Sequence, residues 1–171
     1  MKTSTADIVN CTPSLAELKV SYRRGKRRRK REQSTEGSFV IRGPADASYY
    51  LRRIWNKDTM DFREEVIMLC LNTSNEVLGW VNVFAGGIDS SPVDPRIVFG
   101  VALQTASTGI IVAHNHPSGS LVPSPQDIAL TKRLRSGGEI LNIRLLDHLI
   151  ISREGFFSFA ESEWEGKNAN W

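Results

Sequence analysis

The sequence predicts a single mixed α/β (α+β) domain, with one central sheet and two or three helices. Three observations carry that expectation. Short apolar runs of strand character alternate with longer segments of helical periodicity, and neither kind is confined to one half of the chain. Pro44, Pro95 and Pro125 stand at or near the start of the three helical segments, where a missing amide hydrogen costs nothing. The chain has 171 residues, enough for one domain with a real core and too few for two ordinary ones.

The elements follow in order. "ELKVSY", Glu17 to Tyr22, alternates Leu18, Val20 and Tyr22 and is expected to be a strand. The basic tract from Arg23 to Arg31 and then "EQSTEGS" form a loop, so residues 1–38 read as an N-terminal segment. "FVIR" from Phe39 is expected to be a second short strand. "GPADASYYLRRIWN" is a helix with Tyr50, Leu51, Ile54 and Trp55 on its apolar side. In "EEVIMLCLNTSNEVLGWVNVF" two apolar runs flank the turn residues "NTSN", which makes a hairpin. Val66 to Leu71 is apolar throughout and belongs in the middle of a sheet covered on both faces.

"DPRIVFGVALQT" is a helix with Asp94 as N-cap and Pro95 as its first residue. "GIIVAH" is a short buried strand ending at a pair of histidines. "SPQDIALTKRLRSGGEIL" is a helix opened by Ser124 and Pro125, which Gly137-Gly138 should fray or break near its end. "IRLLDHLIIS" and "GFFSF" make a last hairpin across "SREG". Residues 39–160 thus form the domain, and 161–171 a polar tail.

Charge is unevenly placed. "RRGKRRRKR" puts eight basic residues into nine positions; without them 14 Lys and Arg face 19 Asp and Glu, a balance of −5. The globular part is therefore mildly acidic and the basicity is one local tract, which repels itself and should loop out. Such a tract can neutralise phosphates, so sequence-independent nucleic-acid binding through Arg23–Arg31 is one expectation and a solvated loop the other. No aromatics are interleaved to stack on bases. No apolar run approaches the ~20 residues of a membrane helix. "MKTSTADIVNCTPSL" lacks the apolar core of a signal peptide. Two cysteines, Cys11 and Cys70, are too few for a disulfide framework, so a cytoplasmic location is expected. Neither a phosphate loop nor a dinucleotide fingerprint is present.

The chemistry gathers in "IIVAHNHPSGSLVPSPQDIALTKRL". Residues two apart on a strand point to the same side, so His114 and His116 can aim both rings at one point. Two imidazoles suit zinc, whose catalytic sites take three protein ligands plus water. Asp127, eleven residues on, is near enough in the chain to return as the third. Ser124 and Asp127 also match a capping box, a common structural device at a helix start. That reading competes with metal ligation for Asp127, since a carboxylate on zinc is not expected to fold back onto the N-cap amide. In "RLLDHLII", Asp147 and His148 read as a hydrogen-bonded structural pair in preference to a brace for a metal ligand. Asn115 and Ser118 read as turn formers.

The spacing His-x-His, seven residues, Ser-x-x-Asp is complete at His114, His116, Ser124 and Asp127, and is similar to the signature of JAMM/MPN+ metallopeptidases. The surrounding "AHNHPSG", the upstream "SSPVDPR" and the downstream "LLDHLII" resemble the RadC-like branch of that superfamily, the RadC-type JAB domain. The resemblance runs from about Asp61 to Phe159. It implies an MPN/JAB-type fold, a central mixed sheet flanked by helices, and one zinc per chain held by His114, His116 and Asp127. It also implies that Ser124 helps hold an oxyanion and that an upstream glutamate is the general base. Glu64 aligns best with that glutamate, and Glu65 stands beside it. The triplet "HNH" has no bearing on HNH nucleases, whose named residues are dispersed over a different motif. Relatives often carry paired DNA-binding helices ahead of the domain, and no sign of them precedes residue 60 here. Asp94 stands where a histidine is common, and Ser120–Val122 is more apolar than usual.

The expected function is therefore a zinc-dependent metallopeptidase or isopeptidase-like hydrolase acting on a peptide or isopeptide-linked protein, with no membrane partner. The alternative is an accessory protein, associated with DNA repair through the family name, that uses the basic tract and keeps a structural zinc. A third is an interaction scaffold, as MPN domains without the motif resemble, against which the complete ligand set counts.

Overall fold

A computed structural model describes residues 39–86 and 93–162. The expected strand Glu17–Tyr22, the basic tract Arg23–Arg31 and residues 163–171 of the tail lie outside the described residues. Among the described residues the order is α1 (Pro44–Ile54), β1 (Glu64–Leu71), β2 (Val77–Gly86), α2 (Pro95–Gln104), β3 (Gly109–Asn115), α3 (Pro125–Leu141), β4 (Arg144–Ile151) and β5 (Phe156–Ser158). The strands form one sheet in the order β2-β1-β3-β4-β5. It is mixed: β3 and β4 run parallel and the other neighbours antiparallel. A parallel pair cannot be joined by a tight turn, so α3 makes the crossover between β3 and β4. Among the described residues no helix is long and apolar enough to cross a membrane.

The period-2 alternation of the central strands divides the core in two. Ile67, Leu69, Leu71, Ile111 and Ala113 face α1, where Ala47, Leu51 and Trp55 cover them. Val66, Met68, Cys70, Ile110 and Val112 face α2 and α3, against Val98, Phe99, Ala102 and Leu134. β1 and β3 are buried along nearly their whole length, which explains why their sequences are apolar on both sides rather than on one.

The punctuation works as its chemistry requires. Asp94 accepts a hydrogen bond from the Arg96 amide at 2.9 Å and caps α2. In the β1–β2 turn, Asn72 Oδ1 accepts from the amides of Ser74 and Glu76, and Asn75 takes the left-handed conformation that asparagine tolerates.

Two expectations are corrected. "FVIR" forms no strand in the described residues: Val40 makes a single bridge to Glu76, flanked by bonds between Ile41 and Asn75 and between Val77 and Phe39. The helix begins at Pro44, so only three described residues lie alongside the turn end of the hairpin. Gly137-Gly138 does not break α3, which runs on to Leu141. A Cβ at Gly137 would stand 2.6 Å from the Phe99 ring on α2, and one at Gly138 would overlap the Ile143 carbonyl. The two glycines let α3 approach its neighbours. Their cost in helix propensity, ~0.5–1 kcal/mol each relative to alanine, is offset by contacts that no side chain would allow.

Candidate metal centre

The last turn of the sheet before α3 brings the sequence's candidates together. β3 carries His114 on the α3 side, and His116 follows one residue beyond the strand end. The chain then turns at Gly119, whose φ of 74° is easy for glycine and strained for most side chains. That turn returns the Ser120 carbonyl to His116 Nδ1 at 2.9 Å. A carbonyl only accepts, so the Nδ1–H of His116 donates and its Nε2 is left as a bare lone pair. Pro125 opens α3 with Ser124 as N-cap, and Asp127 stands in the first turn.

Three donor atoms meet there. His114 Nε2 lies 3.1 Å from His116 Nε2 and 3.0 Å from Asp127 Oδ1, and His116 Nε2 lies 3.4 Å from Asp127 Oδ2. His114, His116 and Asp127 form a group that could hold a metal ion. Two imidazole nitrogens and one carboxylate oxygen are the donor set of a catalytic zinc site with one position left for water. Lone pairs facing each other at this separation repel unless a positive charge lies among them, so the donor set fits such an ion.

The expected conflict over Asp127 does not arise. Its Oδ2 accepts from the Ser124 amide and hydroxyl, both at 2.7 Å, while the Asp127 amide donates to Ser124 Oγ. The capping box is complete, and Oδ1 still faces His114. A carboxylate has two oxygens with separate lone pairs, so the capping box leaves Oδ1 available to a metal ion. Burial pushes the Asp127 carboxyl up, but positive charge shared among it, His114 and His116, with the bond from the Ser124 hydroxyl, outweighs that and holds the group well below the usual carboxylate range.

The two glutamates are separated by strand alternation. Val66 pairs with His114, so Glu64, two residues earlier, lies on the histidine face at the mouth of the group. Burial raises the Glu64 carboxyl, Asp127 adds to that, and His114 and His116 oppose it. Glu65 is buried on the other face, where Arg63 Nη2 holds its Oε1 at 2.7 Å.

Asn115 is not a turn former. It is fully buried at the end of β3, opposite in direction to the two histidines. Its amide donates to the carbonyls of Met60 and Arg63, and its Oδ1 accepts from the Glu65 amide at 2.8 Å. One side chain thereby fixes the backbone on both sides of Glu64. The alternation of the strand carried a signal for this, since the middle residue of His-x-His must face away from the histidines.

Asp147 and His148 are not a pair. As neighbours on β4 they point to opposite faces. His148 is fully buried beside His114, with Nε2 2.9 Å from His114 Nδ1 and its own Nδ1 2.6 Å from Thr131 Oγ1. Asp147 accepts from Ser158 Oγ at 2.7 Å and the Ala160 amide at 3.0 Å, tying β4 to the end of β5 and the chain just beyond it. Burial pushes the Asp147 carboxyl up to about 6 against those bonds. Between about pH 4 and about pH 6 the folded chain keeps this proton and the unfolded chain releases it. Stability should therefore fall across that window as pH rises, by on the order of 2–3 kcal/mol. Asp147→Asn should remove that slope, read as urea midpoints of variant and parent near about pH 4.5 and about pH 7.5. Parallel profiles would contradict it.

A mixed sheet with an α3 crossover and a His-His-Asp group at its strand end define a JAB-type domain with a candidate metal centre. The chain belongs to the RadC-like JAB domain family, which matches residues 41–164. It is 46% identical over 99 residues to a UPF0758 protein of Thermotoga maritima, covering 58% of this chain and 45% of that one. It is 44% identical over 123 residues to a UPF0758 protein of Shouchella clausii, covering 71% and 52%. A UPF0758 protein of Clostridium botulinum is 38% identical over 149 residues, covering 86% and 60%. The chain spans about half the length of the curated relatives it matches.

Proposed function

We propose that this chain is a zinc-dependent hydrolase of amide bonds, acting on a peptide or isopeptide linkage. The observation that carries the reading is the meeting of His114 Nε2, His116 Nε2 and Asp127 Oδ1 on the sheet face that also carries Glu64. His114, His116 and Asp127 are the proposed ligands. Zinc, when bound, supplies Lewis acidity that lowers the pKa of water to about 7 and polarises a carbonyl.

The remaining roles belong to the chain. Glu64, partly buried, accepts the proton of the attacking water and passes it to the leaving amine. The Asn115 bonds to the backbone around it set its approach. Ser124 donates its hydroxyl hydrogen to Asp127 Oδ2 in the substrate-free arrangement. Its proposed second role, a donor to the developing oxyanion, requires that hydroxyl to rotate away from the carboxylate. The contact is of a kind worth ~2.7–4 kcal/mol where it has been measured.

Metal content is the first test. The purified, tag-free chain should carry close to one zinc, and His116→Ala should carry almost none. Peptide and isopeptide substrates would then be screened with Glu64→Gln as the control, which should keep its zinc and lose roughly 10²–10⁴ in turnover. A folded parent chain that holds no zinc would end the hydrolase reading.

A further inference from the structure

We infer that Thr131 and His148 form a one-way hydrogen-bond relay that holds His114 in the tautomer with a bare Nε2. The inference rests on the metal-site reading above for its purpose, although not for its geometry.

The direction of every proton follows from one end. The Asp127 main-chain carbonyl can only accept, and Thr131 Oγ1 donates to it at 2.7 Å. A threonine hydroxyl has one hydrogen, so toward His148 it offers only a lone pair. The 2.6 Å contact with His148 Nδ1 is then a bond in which Nδ1–H donates. His148 is fully buried and Phe159 stacks on its ring at 4.8 Å, so a charged imidazolium there would be cut off from water with no carboxylate at ion-pair distance among the described residues. A neutral ring has one hydrogen, already placed on Nδ1, so its Nε2 is bare and accepts from His114 Nδ1–H at 2.9 Å. His114, neutral in turn, presents a bare Nε2 to His116 and Asp127.

The relay opposes a real competitor. A hydrogen on His114 Nε2 would make a good bond to Asp127 Oδ1 at 3.0 Å and occupy the position a metal needs. The relay also starts on the main chain of the residue whose side chain is the third proposed ligand. The rings of His114 and His148 and the first turn of α3 are therefore set together. His148 and Thr131 are positioning residues in this scheme, since neither meets the metal.

The test reads tautomers first. Long-range ¹⁵N–¹H correlation spectra of the metal-free parent chain should show His114 Nε2 without a hydrogen and His148 Nδ1 with one. Thr131→Val removes the hydroxyl at nearly constant volume and should move the His148 hydrogen to Nε2, which drives the His114 hydrogen onto its own Nε2. Zinc affinity, measured by competition with a chelator, should then fall about 10–100-fold, and Thr131→Ser should restore it to within a few-fold. A hydrogen on His114 Nε2 in the parent chain overturns the relay, and that measurement needs no variant to fold. Unchanged zinc affinity in folded Thr131→Val overturns it as well. A parent chain that shows the expected tautomers yet binds no zinc defeats the hydrolase reading and leaves the relay standing.

Discussion

Asp127→Ala should lose its metal and also lose stability when no metal is present in either protein. The first loss follows from removing one of three proposed ligands. The second follows from the other oxygen, which accepts two bonds from Ser124 at the start of α3. Loss of a helix cap of this kind typically costs about 1–2 kcal/mol. Urea unfolding in chelator should therefore place Asp127→Ala below the parent by that amount and leave His116→Ala close to it. With zinc at a hundred times its dissociation constant, the parent alone should gain about 2.7 kcal/mol. Asp127→Asn separates the functions further: its single carbonyl oxygen can serve Ser124 or the metal position, but not both. Zinc retained in Asp127→Ala would reduce Asp127 to a capping residue. Equal stability of Asp127→Ala and parent in chelator would mean the cap contributes nothing.

Asn115→Ala should be among the most damaging single changes to stability. It deletes three hydrogen bonds, two of them buried and one part-buried, and strands the Met60 and Arg63 carbonyls and the Glu65 amide. Each stranded group costs roughly 1–3 kcal/mol, and partial relaxation brings the expected total to about 3–4 kcal/mol. Asn115→Asp keeps the shape and replaces the two donors with an oxygen facing two carbonyls, so it should be destabilising too while preserving the bond from Glu65. Thermal or urea unfolding measures both. A variant that holds full stability would show that the segment from Met60 to Glu65 is fixed by other contacts. In surviving folded protein, displacement of Glu64 should lower turnover while zinc content stays near the parent's.

Much of this was legible from local chemistry. Pro95 behind Asp94, Pro125 behind Ser124, and "NTSN" between two apolar runs each specify a start or a turn from a few neighbouring residues. The apolar continuity of Val66 to Leu71 announces a strand buried on both faces. The failures share a cause: they depend on what lies across space. Gly137-Gly138 looks like a helix breaker until Phe99 and Ile143 are placed against it. His148 looks like half of an Asp-His pair until the parallel pairing of β3 and β4 puts it opposite Val112, one step along the same face from His114. No pattern within "RLLDHLII" encodes that register. The two readings of Asp127 differ on a smaller scale, because residue identity does not say which of two oxygens a neighbour will use.

The placement of β3 between β1 and β4 has a consequence for synthesis. Glu64, His114, His116 and Asp127 all leave the ribosome before His148, whose strand follows α3 in the chain. A nascent chain ending within α3 would hold every proposed ligand while lacking the partner that orients one of them, with one side of β3 still open. A metal met by the growing polypeptide would thus find an unfinished cage, and the candidate site is complete only once β4 has joined the sheet.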